Sequence, residues 1–174
     1  PAEMPHVIDV IKHRAGLVRG AFHGSMLRND LYNFSRIGTF IERADNTARI
    51  LDVKYYVLLP AAAQVGSSLD NAQWESILRS VSAHRSYGWV YDAEYKPANI
   101  ADFLILRPEM PRSLAFCASY IKQNVETLAQ FYGQEQASCE ASRQLCAMVE
   151  NTSMETIFAH GLHEFLTEFM ARNY

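Results

Sequence analysis

No stretch of the chain reaches the ~18 uninterrupted apolar residues that a membrane-spanning helix requires, and its opening lacks the charged-then-apolar pattern of a secretory signal. Both absences lead to the expectation of a soluble, cytoplasmic protein without a membrane partner. Cysteine is scarce: Cys117, Cys139 and Cys146 are an odd number, contain no Cys-x-x-Cys pair and sit inside helically periodic apolar segments. That placement argues for buried thiols in a reducing compartment and against a disulfide framework or a thiolate metal centre. An excess of either charge is also lacking. With 16 basic and 19 acidic residues the net charge of −3 gives no global attraction to nucleic acid, which is not expected as a partner. No Gly/Ser linker or low-complexity tract divides the 174 residues, so one helical domain is expected over 1–174. The chain opens PAEMP without Met, which reads as a processed chain or a fragment.

Strict two-residue alternation of apolar and polar residues is missing as well, whereas helical spacing recurs almost throughout. The fold class is therefore all-α, expected as an antiparallel helical bundle of about six to seven helices. The first runs from about His6 to Phe22 with Ile8, Ile11, Ala15, Val18 and Phe22 on one stripe, and His23 to Ser25 stops it. A long second helix starts near Asp30 and ends at Pro60, followed by a loop from Ala61 to Ser68. Asp70 is the expected N-cap of a third, with Trp74, Ile77, Leu78 and Val81 inward, reaching roughly Tyr91. Pro97 suits the first turn of a short fourth helix closed by Arg107-Pro108. Pro111 opens the fifth, with Leu114, Cys117, Ile121, Val125, Leu128 and Phe131 in register until Gly133. A sixth covers about Glu135 to Glu150. The last begins at TSME, where Thr152 and Glu155 have capping-box spacing, and carries Ile157, Leu162, Phe165, Leu166 and Phe169.

The second helix carries the most information. At 100° per residue, Ile37, Ile41, Ala44, Ala48, Leu51, Tyr55 and Leu58 share the core side, with Phe34 and Phe40 flanking them. A second face collects Gly38, Glu42, Asp45, Arg49, Asp52 and Tyr56, a polar ladder in which Asp45 precedes Arg49 by four residues, the favourable orientation. A third edge holds Arg36, Arg43, Thr47 and Lys54. Ile50, Val53 and Val57 lie opposite the core stripe, so the C-terminal half is expected to be covered on two sides. Arginine dominates the basic positions, and its planar fork suits fixed pairing with carboxylate or phosphate better than free solvation does. From the residues alone the ladder reads as a solvated face, a buried ion-pair network or a ligand site.

Recognisable catalytic patterns are few. There is no G-x-S-x-G elbow and no glycine-rich phosphate loop. A ferritin-like di-iron bundle needs Glu-x-x-His on a pair of helices, and the chain does not carry that pair. His160, His163 and Glu164 in AHGLHEF place two imidazoles about one turn apart without an obvious third ligand, so no metal is expected there. They read as a polar or helix-capping cluster, or as a proton-transfer or phosphate site. Arg107 and Arg112, with Arg36, Arg43, Arg79 and Arg85, read as solvated charge or as an anion-binding surface. Tyr55, Tyr56, Tyr87, Trp89 and Tyr91 have spacings that suit core or seam packing.

The segments GTFIERADNTARILDVKYYVLLP, WESILRSVSAHRSYG, ADFLILRPEMPRSL and IFAHGLHEFL, in that order, resemble the bacterial alpha-E proteins, helical proteins named for a Glu-Arg motif that here is Glu42-Arg43. The resemblance runs from about Ile11 to Arg172. It implies a longer, internally duplicated helical protein with such a helix in each half, of which this chain, with one motif, resembles the C-terminal part. It also implies companions: circularly permuted ATP-grasp ligases and transglutaminase-like proteases in a proposed peptide synthesis or modification system. No activity and no cofactor come with it. Glu42, Arg43, Asp45, Asn46, Arg49 and Asp52 fall on the family's signature helix, and with Arg36, His160 and His163 they are the candidate ligand- or partner-binding residues. The leading expectation is a non-catalytic accessory or binding protein. The alternatives are an enzyme of amide or aminoacyl transfer using Glu42 and His163, and a structural module that forms homo-oligomers.

Overall fold

The computed structural model describes residues 4–57, 67–91 and 95–174. The side chains of Tyr55, Tyr56 and Val57, with Leu58, Pro60 and residues 61–66, lie outside the described residues, and so do the expectations placed on them. The described residues form nine helices and no strand: α1 (Met4–Ser25), α2 (Asp30–Val57), α3 (Ser68–Ser80), α4 (His84–Val90), α5 (Pro97–Ile105), α6 (Leu114–Tyr132), α7 (Ala137–Glu150), α8 (Met154–His160) and α9 (Leu162–Asn173). None is long and apolar enough to cross a membrane.

The expected six to seven helices become nine through two breaks. The expected third helix divides at Ser82, whose φ of 57° is left-handed, and α3 ends where Val81 and Ser82 turn back onto α3 carbonyls. The expected last helix divides at Gly161, whose φ of 112° closes α8 and launches α9. Three caps also differ from expectation. Ser67, not Asp70, caps α3, its hydroxyl accepting from the Asp70 amide. Ser113, not Pro111, begins α6 by accepting from Phe116, and Gly133 ends it in the left-handed conformation. Ser153, not Thr152, caps α8 through the Thr156 amide.

The core sits where α2 packs on α6 and α9, α6 on α7, and α7 on α9, so four helices close a ring of contacts. Phe40, Ala44, Leu51, Leu114, Cys117, Ile121, Leu166 and Phe169 fill it. All three cysteines are buried thiols, and burial pushes Cys117 up to about 12. α3, α4 and α5 add Trp74, Leu78, Tyr87, Ile100 and Leu104 at one side. Phe131 and Trp89, expected to be packed, are 62% and 86% exposed.

α1 departs further from expectation. Its stripe of Ile8, Ile11, Ala15 and Val18 is exposed, and among the described residues none of α1 is buried. Its last turn is tied down by Phe22 stacked on Tyr32 with ring centres 5.1 Å apart, and by Arg28 donating to the His23 carbonyl.

Candidate functional site

α2 is helical for 28 residues because it has no internal proline and begins with Asp30, whose carboxylate accepts from the Leu31 amide at the positive end of the helix. Its buried face is rotated from the expected stripe. Phe40, Ala44, Thr47, Ala48, Leu51 and Lys54 are buried, whereas Ile37 and Ile41 are half-buried and Phe34 is exposed. The basic edge is therefore turned against the protein, and Val53, expected to be covered, faces solvent. α6 and α9 cover α2 from two adjacent sides, and that angle sets which positions are dry.

The ladder divides into inward acids and outward partners. Glu42 and Asn46 are exposed. Asp45 is buried and accepts from Arg49 Nε at 2.7 Å, while its buried Oδ1 has no partner among the described residues. The exposed Arg49 guanidinium has its pKa raised first by the bond to Asp45 and then by one to Tyr174. Asn173 Nδ2 donates to the Ile41 carbonyl at 2.9 Å, so the end of α9 is pinned to the middle of α2. Further along, Asp52 Oδ1 and His163 Nδ1 are 2.6 Å apart. The hydrogen bond to Asp52 raises the His163 pKa above its usual value, against a smaller opposing effect of desolvation.

The enzyme alternative paired Glu42 with His163, and the structure does not bring them together. Asp52 takes His163, ten residues and so about 15 Å along the helix from Glu42. His160 is exposed at the end of α8, outside the Asp52–His163 pair. Among the described residues, no group of three His, Cys, Asp or Glu side chains is placed to hold a metal ion.

Sequence reasoning missed the most buried charges on α2. Lys54 Nζ lies 2.7 Å from Asp70 Oδ1 and 2.7 Å from Gln73 Oε1, and 5.1 Å from the Trp74 ring centre. The side chains of Lys54 and Asp70 are 2% and 4% exposed. Two signals for this were present. Arg36, Arg43, Thr47 and Lys54 recur at spacings of seven and four, and Ser67-x-x-Asp70 is the cap spacing that puts the acid inside the helix. A cleft of about 360 Å³ opens beside this pair, lined by Asn46, Arg49, Val53, Lys54, Gln73 and Ser76. A second missed group joins α4 to α5: Arg107 Nε donates to the Tyr91 hydroxyl and to Asp102 Oδ2, each at 3.0 Å, and Tyr91 donates to Asp102.

Arg36 and Arg43 are held differently from the ion-paired charges Asp45, Asp52 and Lys54 of the same helix. Arg43 is half-buried, its Nη1 donates to the Pro111 carbonyl at 3.0 Å, and its guanidinium carbon lies 5.2 Å from the Phe40 ring centre. Arg36 rests on the same ring at 4.3 Å and places Nη1 3.2 Å from His23 Nε2. The ion-paired arginines are Arg49, Arg79, Arg107, Arg143 and Arg172; among the described residues no carboxylate pairs with Arg36, Arg43 or Arg112. Burial lowers the Arg43 pKa, Arg112, Arg36 and Arg19 lower it further, and Cys117 opposes them. Arg79, Arg85 and Arg107, once grouped with these residues, are on or beside α3, α4 and α5: Arg79 pairs with Glu75 and Arg107 with Asp102, while Arg85 is exposed.

Neither a curated protein nor a solved structure matches this chain. The profile of Alpha-E, described as "a predicted alpha-helical domain with a conserved ER motif", matches residues 2–174. With Glu42-Arg43 as that motif and helices throughout its described residues, the chain belongs to the Alpha-E family.

Proposed function

We propose that the protein is a non-catalytic accessory domain that binds an anionic group through the arginine edge of its Glu-Arg helix and acts beside an ATP-grasp-type ligase. One observation carries the binding half: Arg36 and Arg43 are fixed on the Phe40 ring without carboxylate partners among the described residues, while Asp45, Asp52 and Lys54 of the same helix are each in an ion pair. Like charges held together cost free energy, and an incoming anion relieves that cost. The ligase half rests on the family resemblance. In this reading the ring of α2, α6, α7 and α9 is an antiparallel bundle that holds the arginine edge rigid.

The test is co-purification of the full-length protein with a co-encoded ATP-grasp-type ligase, followed by ATP consumption with and without it. Arg43→Ala is expected to weaken the complex or its effect on turnover while the helical circular dichroism stays unchanged. Absence of a complex together with unchanged turnover refutes the accessory role.

A second reading, a module that forms homo-oligomers, is favoured by α1. Met4, Ile8, Ile11, Ala15, Val18 and Phe22 recur at alternating spacings of four and three, a coiled-coil seam left open along most of its length. Light scattering over a concentration series, with Ile11→Asp as control, separates this reading from a monomeric one.

A further inference from the structure

Arg36 and Arg43 rest on the Phe40 ring, and further basic groups near them come from three other parts of the chain. α1 supplies Arg19 and His23, the turn before α2 supplies Arg28, α2 supplies Arg36 and Arg43, and the turn before α6 supplies Arg112. The largest influences on His23 after its own desolvation are Arg36, Arg28, Arg43 and Arg19, and all of them lower its pKa. Tyr32 also reaches this imidazole, its hydroxyl 3.5 Å from Nδ1. Arg36 and Arg43 share one ring at 4.3 and 5.2 Å, so their guanidiniums lie within about 10 Å of each other.

The ligand that suits this arrangement carries more than one negative charge and more than two acceptor oxygens. A carboxylate is planar, and a single guanidinium fork engages both of its oxygens from one side. A phosphate monoester presents three terminal oxygens in different directions, so two forks reach it from opposite sides. With charge-assisted contacts of about 2.8 Å on each side, their guanidinium carbons sit about 8 Å apart, inside the limit set by the shared ring. The apolar groove on Phe34, Ile37 and Leu128 is lined by none of these basic groups, which favours a compact ligand over a peptide that would have to span both.

We infer that His23, Arg36, Arg43 and Arg112 form a binding site for the phosphate monoester of a small molecule. The inference rests on the binding reading above and names its ligand class. Bound dianion also favours the protonated form of His23, so this imidazole reports occupancy.

The test uses isothermal titration of the full chain with AMP and with inorganic phosphate, with acetate and a phosphoserine peptide as further arms, while NMR follows the His23 ring. AMP is expected to bind saturably and to raise the His23 pKa. Arg36→Gln and Arg112→Gln are each expected to weaken binding about ten- to hundredfold, the worth of a charge-assisted hydrogen bond, with unaltered melting curves. Arg85→Gln on α4 leaves binding at the parent level. These two arginines are chosen because Arg43 also donates to the Pro111 carbonyl and so ties α2 to the turn before α6. The inference is overturned if AMP gives no saturable binding, if acetate binds equally well, if Arg85→Gln weakens binding as much, or if only the phosphoserine peptide binds. If phosphate binding fails while the ligase complex persists and depends on Arg43, the ligand class is wrong and the accessory reading stands.

Discussion

Replacing Lys54 by Met tests whether the Lys54–Asp70 pair is as dry as its geometry indicates. Methionine keeps most of the volume and removes the cation that sits 2.7 Å from Asp70. With 2% and 4% of the two side chains exposed, solvent cannot take over its role. Losing one partner of a buried pair costs about 3–5 kcal/mol, because the remaining charge keeps its desolvation penalty. Unfolding entropy of about 2.1 cal/mol/K per residue gives a chain of 174 residues about 0.37 kcal/mol/K, so Tm should fall by about 8–14 °C. Thermal melts and urea titrations monitored by circular dichroism measure this, with the urea m-value unchanged. Lys54→Met/Asp70→Leu removes both charges and should recover most of the loss, giving a coupling of about 2 kcal/mol or more in the double-mutant cycle. Raising salt from 0.1 to 0.5 M should change the single-variant penalty little, since buried pairs are weakly screened. A Lys54→Met penalty below about 1 kcal/mol, or a double variant that merely adds the two single losses, would refute the reasoning.

Other perturbations have equally definite outcomes. The raised pKa of His163 means that its pair with Asp52 contributes fully below the unfolded value of about 6.5, and is lost as pH rises through the higher folded value. Tm measured from pH 6 to 9 should fall in the parent relative to Asp52→Asn, and parallel curves would exclude the coupling. Gly161→Ala forces a side chain into a φ of 112° and drives its Cβ into the Glu164 carboxylate. A loss of about 1–3 kcal/mol is expected, and it should persist in Gly161→Ala/Glu164→Ala, because the backbone rather than the flexible acid sets the cost. Phe169→Ala empties a fully buried site between α9 and its neighbours and should cost about 3–5 kcal/mol by chemical denaturation. A cost below 1 kcal/mol would show that α9 is loosely packed.

The helices of this chain were legible because their periodicity is local, and most core positions of α3, α6 and α9 followed from it. The breaks at Ser82 and Gly161 were less legible for different reasons. SVSAHR contains no glycine or proline, so the left-handed Ser82 had no announcing residue, whereas Gly161 was visible but compatible with a continuous helix. On α2, periodicity showed which residues share a face and could not show which faces are covered. Arg36, Arg43 and Lys54 were correctly grouped on one edge, but the burial of Lys54 depends on Asp70 of α3, and the half-burial of Arg43 on Pro111 and the packing of α6. The α1 stripe shows the same limit: an apolar seam promises a partner, and among the described residues none buries it.

The hydrogen bond from Asn173 to the Ile41 carbonyl joins residues 132 positions apart, and the Asp52–His163 pair spans 111. During synthesis, α2 therefore leaves the ribosome well before the helix that covers its acidic flank. At about 5–20 residues per second, the 105 residues separating Val57 from Leu162 correspond to a wait of about 5–20 s. Lys54 meets Asp70 early in that interval, while Asp52 lacks His163 until α9 arrives. An apolar flank left open for so long would invite association with other nascent chains. Carboxylates placed there keep it soluble during the wait, and Asp52 becomes the anchor for His163 once α9 docks.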